Sequence, residues 1–453
     1  MRVVDFLVIF VFLMVLLPIG KTCAQTQPNT MPPTVVSSSS SSLAGQEEPR
    51  QIPLAVVAYV QMALQRHPEL LQAEAQSRAQ EGLYKEAKSQ FMPRVVVGGN
   101  AGQENQRLTA SNISNAYKQS QAYVRMTMPL LDQGLEAQSE QRRQSSIGAD
   151  WKLVDKREEL MLRTLEAYVE VLRASQLLEL AQDNLSMHRG YVKQVKGIAK
   201  LDLGRAADLP AAMSRASLAE SVTTSRLMRL EQARLEFKGL TGLAKAHDLP
   251  ELRVLAPAAS LDEAYQKALN ASPALQVARA DVEHAQQGIA LAKAPYRPRV
   301  NLDATGKKGR DFNGIHGTQS DLYLGVQAEW TIWAGGAAGH ALSAATSTQM
   351  ATRFAFEKAR DELQQRVGSA WYEFLAHAQS AASFDDYVNH AQEMVYANRK
   401  QFKVGRRNLL DVLNAENELF TARSNKLSSE MDQIKASFRL IGLQGLLPTV
   451  LQL

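Results

Sequence analysis

The chain is poor in the residues on which most enzymes and metal proteins depend. It has one cysteine in 453 residues, and aromatic side chains make up only 6%. Cys23 lies in an N-terminal apolar segment, so removal of that segment would leave no thiol, excluding disulfides, zinc-thiolate sites and cysteine nucleophiles together. The eight histidines are scattered, without a His-Glu-x-x-His pair or other ligand spacing, which argues against a metal centre. Ala334-Gly335-Gly336-Ala337-Ala338-Gly339 lacks the first glycine of a dinucleotide fingerprint and opens a helix far too long for a βαβ unit. No nucleophile elbow, phosphate loop or isolated carboxylate pair is present, so neither a cofactor nor an enzymatic activity is expected. A net charge of +5 spread over this length makes no basic stripe, and no nucleic-acid partner is expected. Past the N-terminus no apolar run reaches the roughly 18 residues of a membrane-spanning helix. Any membrane crossing must therefore be made by strands.

Residues 1–24 read as a signal peptide: Arg2 supplies the positive start, an apolar run follows, and Thr22-Cys23-Ala24 offers a small-residue cleavage site. A lipidated Cys23 is the alternative, although Gly20-Lys21-Thr22 is a poor match to a lipobox. Residues 25–53, with serine at every position from Ser37 to Ser42 and several prolines, read as a disordered tether.

The rest of the chain says nearly the same thing twice, about 200 residues apart. His67-Pro68-Glu69-Leu70 precedes Pro93-Arg94-Val95, and Ser272-Pro273-Ala274-Leu275 precedes Pro298-Arg299-Val300, with 25 residues from proline to proline in both copies. Each copy continues through alternating residues to a glycine-bearing break (Leu131-Asp132-Gln133-Gly134; Trp333-Ala334-Gly335-Gly336), then through a long proline-free stretch to a second punctuation, Leu203-Gly204-Arg205 or Val404-Gly405-Arg406. This places a first repeat at 54–250, a second at 251–446, and a short tail at 447–453.

Strands are expected at about 94–104, 119–131, 299–308 and 319–333. In the last, Leu322, Leu324, Val326, Ala328, Trp330 and Ile332 alternate with Asp321, Tyr323, Gly325, Gln327, Glu329 and Thr331, giving one apolar and one wet face. Four such strands match tilted bilayer crossings but cannot close a barrel, for which about eight are the minimum. Copies of the chain would have to pool them. The long stretches at 135–200 and 337–403 would each make a helix on the order of 100 Å. Shorter helices at 69–92 with 206–242, and at 274–295 with 407–443, would stack in pairs beside them.

Duplicated strand hairpins, long helices and stacked shorter ones resemble the TolC-like outer-membrane channel family over residues 54–446. The most specific motif runs from Gln401-Phe402-Lys403-Val404-Gly405-Arg406-Arg407-Asn408-Leu409-Leu410-Asp411 through Val412-Leu413-Asn414-Ala415-Glu416-Asn417-Glu418-Leu419-Phe420. It is similar to members serving type I secretion, including those that export large adhesins. The resemblance implies a mixed α and β membrane protein in the outer membrane of a Gram-negative bacterium. It would be a homotrimer whose 12-stranded β-barrel, set in outer-membrane lipid, continues as a long α-helical periplasmic barrel. Implied partners are a periplasmic adaptor (membrane fusion protein), an inner-membrane ABC transporter and a secreted polypeptide cargo.

The resemblance also assigns roles at the tip. Leu203, Gly204, Arg205, Val404, Gly405 and Arg406 would dock the adaptor. Arg407 and Asp411 match the periplasmic gate, with Asp208 as the first-repeat counterpart of Asp411. Phe402 stands where a tyrosine hydroxyl often latches the gate, and Asn414 replaces a second ring aspartate, so both weaken the pattern. The expected function is a passive duct for an unfolded polypeptide. The alternatives are a channel for drug or metal efflux and, in another class, a periplasmic coiled-coil scaffold without a pore.

Overall fold

A computed structural model describes residues 52–108, 113–198, 207–243, 249–255, 258–311 and 317–453. The leader, the tether up to residue 51 and Leu203-Gly204-Arg205 lie outside them. The first repeat consists of α1 (Leu54–Arg66), α2 (Pro68–Ser89), β1 (Arg94–Leu108), β2 (Ile113–Leu131), α3 (Gln133–Ile198) and α4 (Asp208–Thr241). The second has α5 (Leu261–Ala271), α6 (Pro273–Lys293), a 3-10 turn (Ala294–Tyr296), β3 (Arg299–Arg310), β4 (Thr318–Glu329), α7 (Ala337–Lys403) and α8 (Leu409–Leu443). A short α9 (Leu447–Leu451) closes the chain.

Local chemistry explains the boundaries. Pro68 and Pro273 sit at the first helical position of α2 and α6, where a missing N–H costs nothing, and each forces its predecessor, His67 or Ser272, out of the helical conformation. The sequence reading missed α1 and α5, which those prolines end. Ile52 is buried and Pro53 caps α1, so the expected tether stops short of them. The breaks between strand and long helix differ chemically. Asp132 Oδ1 accepts from the Gly134 and Leu135 amides at 2.8 and 3.1 Å, an ordinary N-cap. In the second repeat Gly335 and Gly336 turn the chain at φ 61° and 82°, which glycine adopts without steric cost.

The strands form one antiparallel sheet in the order β1-β2-β3-β4. The final ladder pair toward the helices is Arg299 with Glu329, because Pro298 ahead of it has no N–H to donate. Residues 330–333, expected to continue β4, therefore lie outside the sheet.

In the half next to the sheet, α3 lies between α2 and α6; farther away it lies between α4 and α8. Helix α7 packs on α6 and α8. The main core lies where α1, α3, α4, α8 and α9 meet, around Tyr59, Tyr168 and Phe237, with Tyr59 and Phe237 edge to face at 5.3 Å. Leu447 and Leu451 of the closing stretch are buried there too. Each such large apolar side chain contributes about 1.5–3 kcal/mol by leaving water.

A buried charge lies within this core region. Glu170 of α3 is paired by Arg173, by Arg229 of α4 at 3.0 Å and by Lys435 of α8 at 2.7 Å. Burial alone would raise its pKa, but Lys435 and Arg173 outweigh that and hold it at about 2. The node ties three helices together.

Candidate functional site

Register puts most of the apolar residues of the four strands on one face. Val97, Val124, Gly306 and Leu322 form one cross-strand row; Val95, Met126, Ala304 and Leu324 form the next; Met128, Leu302 and Val326 follow. No described element covers this face: Leu322, Leu324 and Val326 are 70%, 69% and 60% exposed. No described helix is long and apolar enough to cross a membrane, so this sheet is the element suited to lipid. Trp330, Ile332 and Trp333 are exposed just below β4, where interfacial aromatics anchor a barrel.

The opposite face is wet. Arg125 lies 5.7 Å over the Tyr123 ring, and Thr127 Oγ1 donates to Asp303 Oδ1 at 2.8 Å. A Cβ at Gly98 or Gly325 would overlap the phenol rings of Tyr123 and Tyr323, so these glycines let the rings lie flat on the sheet. The outer edges of β1 and β4 have no strand beside them among the described residues.

The far end of the helices is built with equal local logic. Helix α7 ends in a Schellman turn: Arg406 N–H donates to the Gln401 carbonyl at 2.9 Å, Gly405 N–H to the Phe402 carbonyl at 3.0 Å, and Gly405 sits at φ 74°. Val404 stands out from this turn, 66% exposed. Asn408 Oδ1 caps α8 by accepting from the Asp411 amide at 2.8 Å. Arg407 spans the turn, with Nε on Gln401 Oε1 at 3.0 Å and Nη1 on Asp411 Oδ2 at 3.3 Å.

The remaining expected tip residues are placed as follows. Phe402 is buried with Val195, Ala212, Leu409, Val412 and Leu413, where it packs the tip. Asn414 Oδ1 accepts from Arg215 Nη2 of α4 at 2.9 Å. Asp208 opens α4. Leu209 and Ala212 share the cluster of Leu409 and Val412, so both short helices begin against the same apolar patch at the tip.

Sequence reasoning passed over a buried group here. Glu416 of α8 accepts from Tyr191 Oη of α3 at 2.8 Å and is paired by Arg399 of α7. Burial, then the adjacent Glu416 charge, pushes the Tyr191 hydroxyl up to about 12, so it remains a donor. His188 is buried nearby and its pKa is lowered, chiefly by desolvation. The signal was available: Glu416 falls in the helical stripe of Val412, Leu413 and Leu419, where a charge needs a partner. No group of three metal-ligating side chains comes together among the described residues.

Comparison with known proteins agrees with this geometry. The sequence model of the outer membrane efflux protein family matches residues 59–219 and 264–446, one stretch in each repeat. The chain is 25% identical over 409 residues to the alkaline protease secretion protein AprF of Pseudomonas aeruginosa, covering 85% of this chain and 83% of that one. It is 24% identical over 403 residues to the outer membrane protein TolC of Vibrio cholerae, covering 83% and 87%. Among solved structures, a membrane protein from Pseudomonas aeruginosa superposes with a TM-score of 0.79 at 18% identity, covering 93% of this chain and all of that one. The duplicated fold, the uncovered sheet and both family matches lead to one conclusion: the chain belongs to the outer membrane efflux protein family of TolC-like channels, with its sheet in the outer membrane and its helices in the periplasm.

Proposed function

We propose that three copies of the chain assemble into a passive exit duct of a type I secretion system, carrying an unfolded polypeptide such as a large adhesin. The observation that carries this reading is the sheet: four strands, apolar on one face and wet on the other, with both edges open. Open edges do not survive in lipid, and three chains bring the strand number to 12, enough to close a barrel with the wet face inward. Energy comes from an inner-membrane ABC transporter, linked to the duct by a periplasmic adaptor.

The tips fit adaptor docking. The Gly405 turn is locally self-sufficient in hydrogen bonds, leaving Val404 as an exposed aliphatic knob, with Leu203-Gly204-Arg205 as its first-repeat counterpart. Val404→Asp is expected to leave assembly intact and abolish export; unchanged export would remove Val404 from the docking surface. Asp411, restrained by Arg407 and the Asn408 cap, is proposed to face the threefold axis, where three copies attract cations. Asp411→Ala is then expected to lower block by multivalent cations in planar-bilayer recordings.

Secretion is favoured over efflux by the likeness to a protease secretion protein over most of both chains and by the poor lipobox ahead of Cys23. The family's description as efflux proteins keeps drug or metal efflux as the second reading. Deleting the gene separates them. Loss of one very large surface or secreted protein, with tolerance to dyes, detergents and metals intact, is the expected result. Intact secretion with sharply raised sensitivity would overturn it in favour of efflux.

A further inference from the structure

The lipid-facing side of the sheet changes character abruptly toward its hairpins. Above the row of Val97, Val124, Gly306 and Leu322, the next rows on the same face hold Gly99, Ala122, Lys308 and Ser320, then Ala101, Ser120, Arg310 and Thr318, then Gln103 and Lys118. Two residues along a strand advance about 7 Å, so three cations appear within a few rows of the last apolar one. The basic residues at the other end of the strands, Arg94 and Arg299, lie on the opposite, wet face. Cations on the lipid-facing side are thus gathered at the hairpin end, the end that points out of the cell.

The two hairpins also differ in length. Strands β1 and β2 have 15 and 19 residues, β3 and β4 have 12 each, and β2 pairs with β3 no farther up than Ser120 with Arg310. The outward face of β2 therefore rises above the end of β3 as a step. At that step lies a shallow cleft of about 550 Å³ whose lining includes the small residues Gly99, Ala101, Ser120 and Ala122 and the cations Lys308 and Arg310. Lys308 and Lys118 have no ion-pair partner among the described residues. Arg310 approaches Asp311 only at 3.7 Å, and Asp311 Oδ1 accepts from the Gly317 amide at 2.7 Å, which leaves most of the guanidinium fork for another acceptor.

We infer that this cleft binds a phosphate of the phosphorylated glycolipid in the outer leaflet of the outer membrane, with Arg310 and Lys308 on the phosphate and Lys118 adding charge above it. The inference rests on the outer-membrane placement and is independent of cargo. The small lining residues admit a sugar-phosphate head, and the apolar rows below receive the acyl chains. A guanidinium beside an ammonium suits phosphate better than a carboxylate of a protein partner, because the fork takes two phosphate oxygens at once. Cations at this level also match the depth at which lipid phosphates lie.

The test uses the full-length channel purified in detergent and reconstituted in vesicles of phosphatidylethanolamine with either lipid A or phosphatidylglycerol at equal mole fraction. Lipid retained by the protein after re-extraction is counted by native mass spectrometry. The triple variant Lys118→Gln, Lys308→Gln, Arg310→Gln is compared with the natural chain, and assembly is checked on unheated gels. We expect lipid A to be retained at least fivefold less by the variant, with phosphatidylglycerol retained weakly and equally by both. Equal retention of lipid A would overturn the inference, and so would preferential retention of phosphatidylglycerol. If the triple variant fails to assemble, Lys118→Arg with Lys308→Arg must retain lipid A while Lys308→Gln alone reduces it; failure of either sinks the proposal. Normal assembly in all variants leaves the trimeric duct untouched by a negative result.

Discussion

Helices α3 and α7 have 66 and 67 residues, occupy the same place in their repeats and run between the sheet and the tip, yet they are buried very differently. Helix α3 has neighbours on both sides and has buried residues along its length, from Ala137 to Val195. Of α7, only Leu363, Val367, Ala370, Ala391, Val395 and Phe402 are buried, and Phe354, Tyr372 and Tyr396 stand exposed. The difference is one of position. Helix α3 lies inside the chain, whereas α7 forms its border, as β4 forms the border of the sheet. Borders that are apolar along both a helix and a strand indicate that the fold is completed by further copies.

The strongest way to break this comparison is to remove the charge that ties α3 on both sides. Glu170→Gln would leave Arg173, Arg229 and Lys435 together without their carboxylate, at a cost of about 3–5 kcal/mol in denaturant unfolding. The same group predicts acid sensitivity. Its pKa falls from 4.5 to about 2 on folding, so its stabilisation, roughly 3 kcal/mol, is complete above the ordinary value and is lost as pH falls toward 2. The glutamine variant should lose this component of the acid transition.

Next in size is a paired truncation. Leu165→Ala on α3, where the side chain is fully buried, should cost about 2–5 kcal/mol in unfolding of the single chain. Phe354→Ala on α7, a residue 68% exposed, should cost the single chain under about 0.5 kcal/mol yet lower the dissociation temperature of the assembly. If Phe354→Ala weakened the single chain as much as Leu165→Ala does, α7 would not be a border.

A smaller effect sharpens the picture on the sheet-proximal part of α3. Burial, with Asp155 second, raises Glu158 to about 7. A raised acid favours the protonated fold, so stability should decline as pH rises from 4.5 through about 7 and level off above. Glu158→Gln should therefore stabilise at pH 8, by roughly 1 kcal/mol after discounting for solvent, and change little at pH 4. Smallest is Gly405→Ala, which forces an alanine to φ 74° at about 1 kcal/mol and should loosen the tip without disturbing the sheet.

Much of this architecture was legible because duplication and punctuation are visible in residues. Pro68, Pro273, Pro93 and Pro298 mark boundaries by what they cannot do, donate a hydrogen bond. What was misread follows from what the pattern omits. Alternation through Trp330 and Ile332 describes faces, not a ladder, and the ladder stops when β3 has no donor left. Helices α1 and α5 were missed because 13 and 11 residues hold too few turns for periodicity to stand out. At the tip, Arg407 and Asp411 could be read beside the glycine turn, whereas Glu416 looked like ordinary helix-surface charge. Only the fold shows Tyr191 and Arg399 converging on it from two other helices.

The most direct test addresses the open edges of the sheet. With Cys23→Ser, the chain has no thiol, so Val95→Cys or Val97→Cys on β1 can be combined in turn with Leu322→Cys, Leu324→Cys or Val326→Cys on β4. Mild oxidation in native outer membranes, followed by denaturing gels, should give covalent products of two and three chains and none larger for at least one pair. Cross-linking only within single chains, or a ladder running past three, would contradict the account.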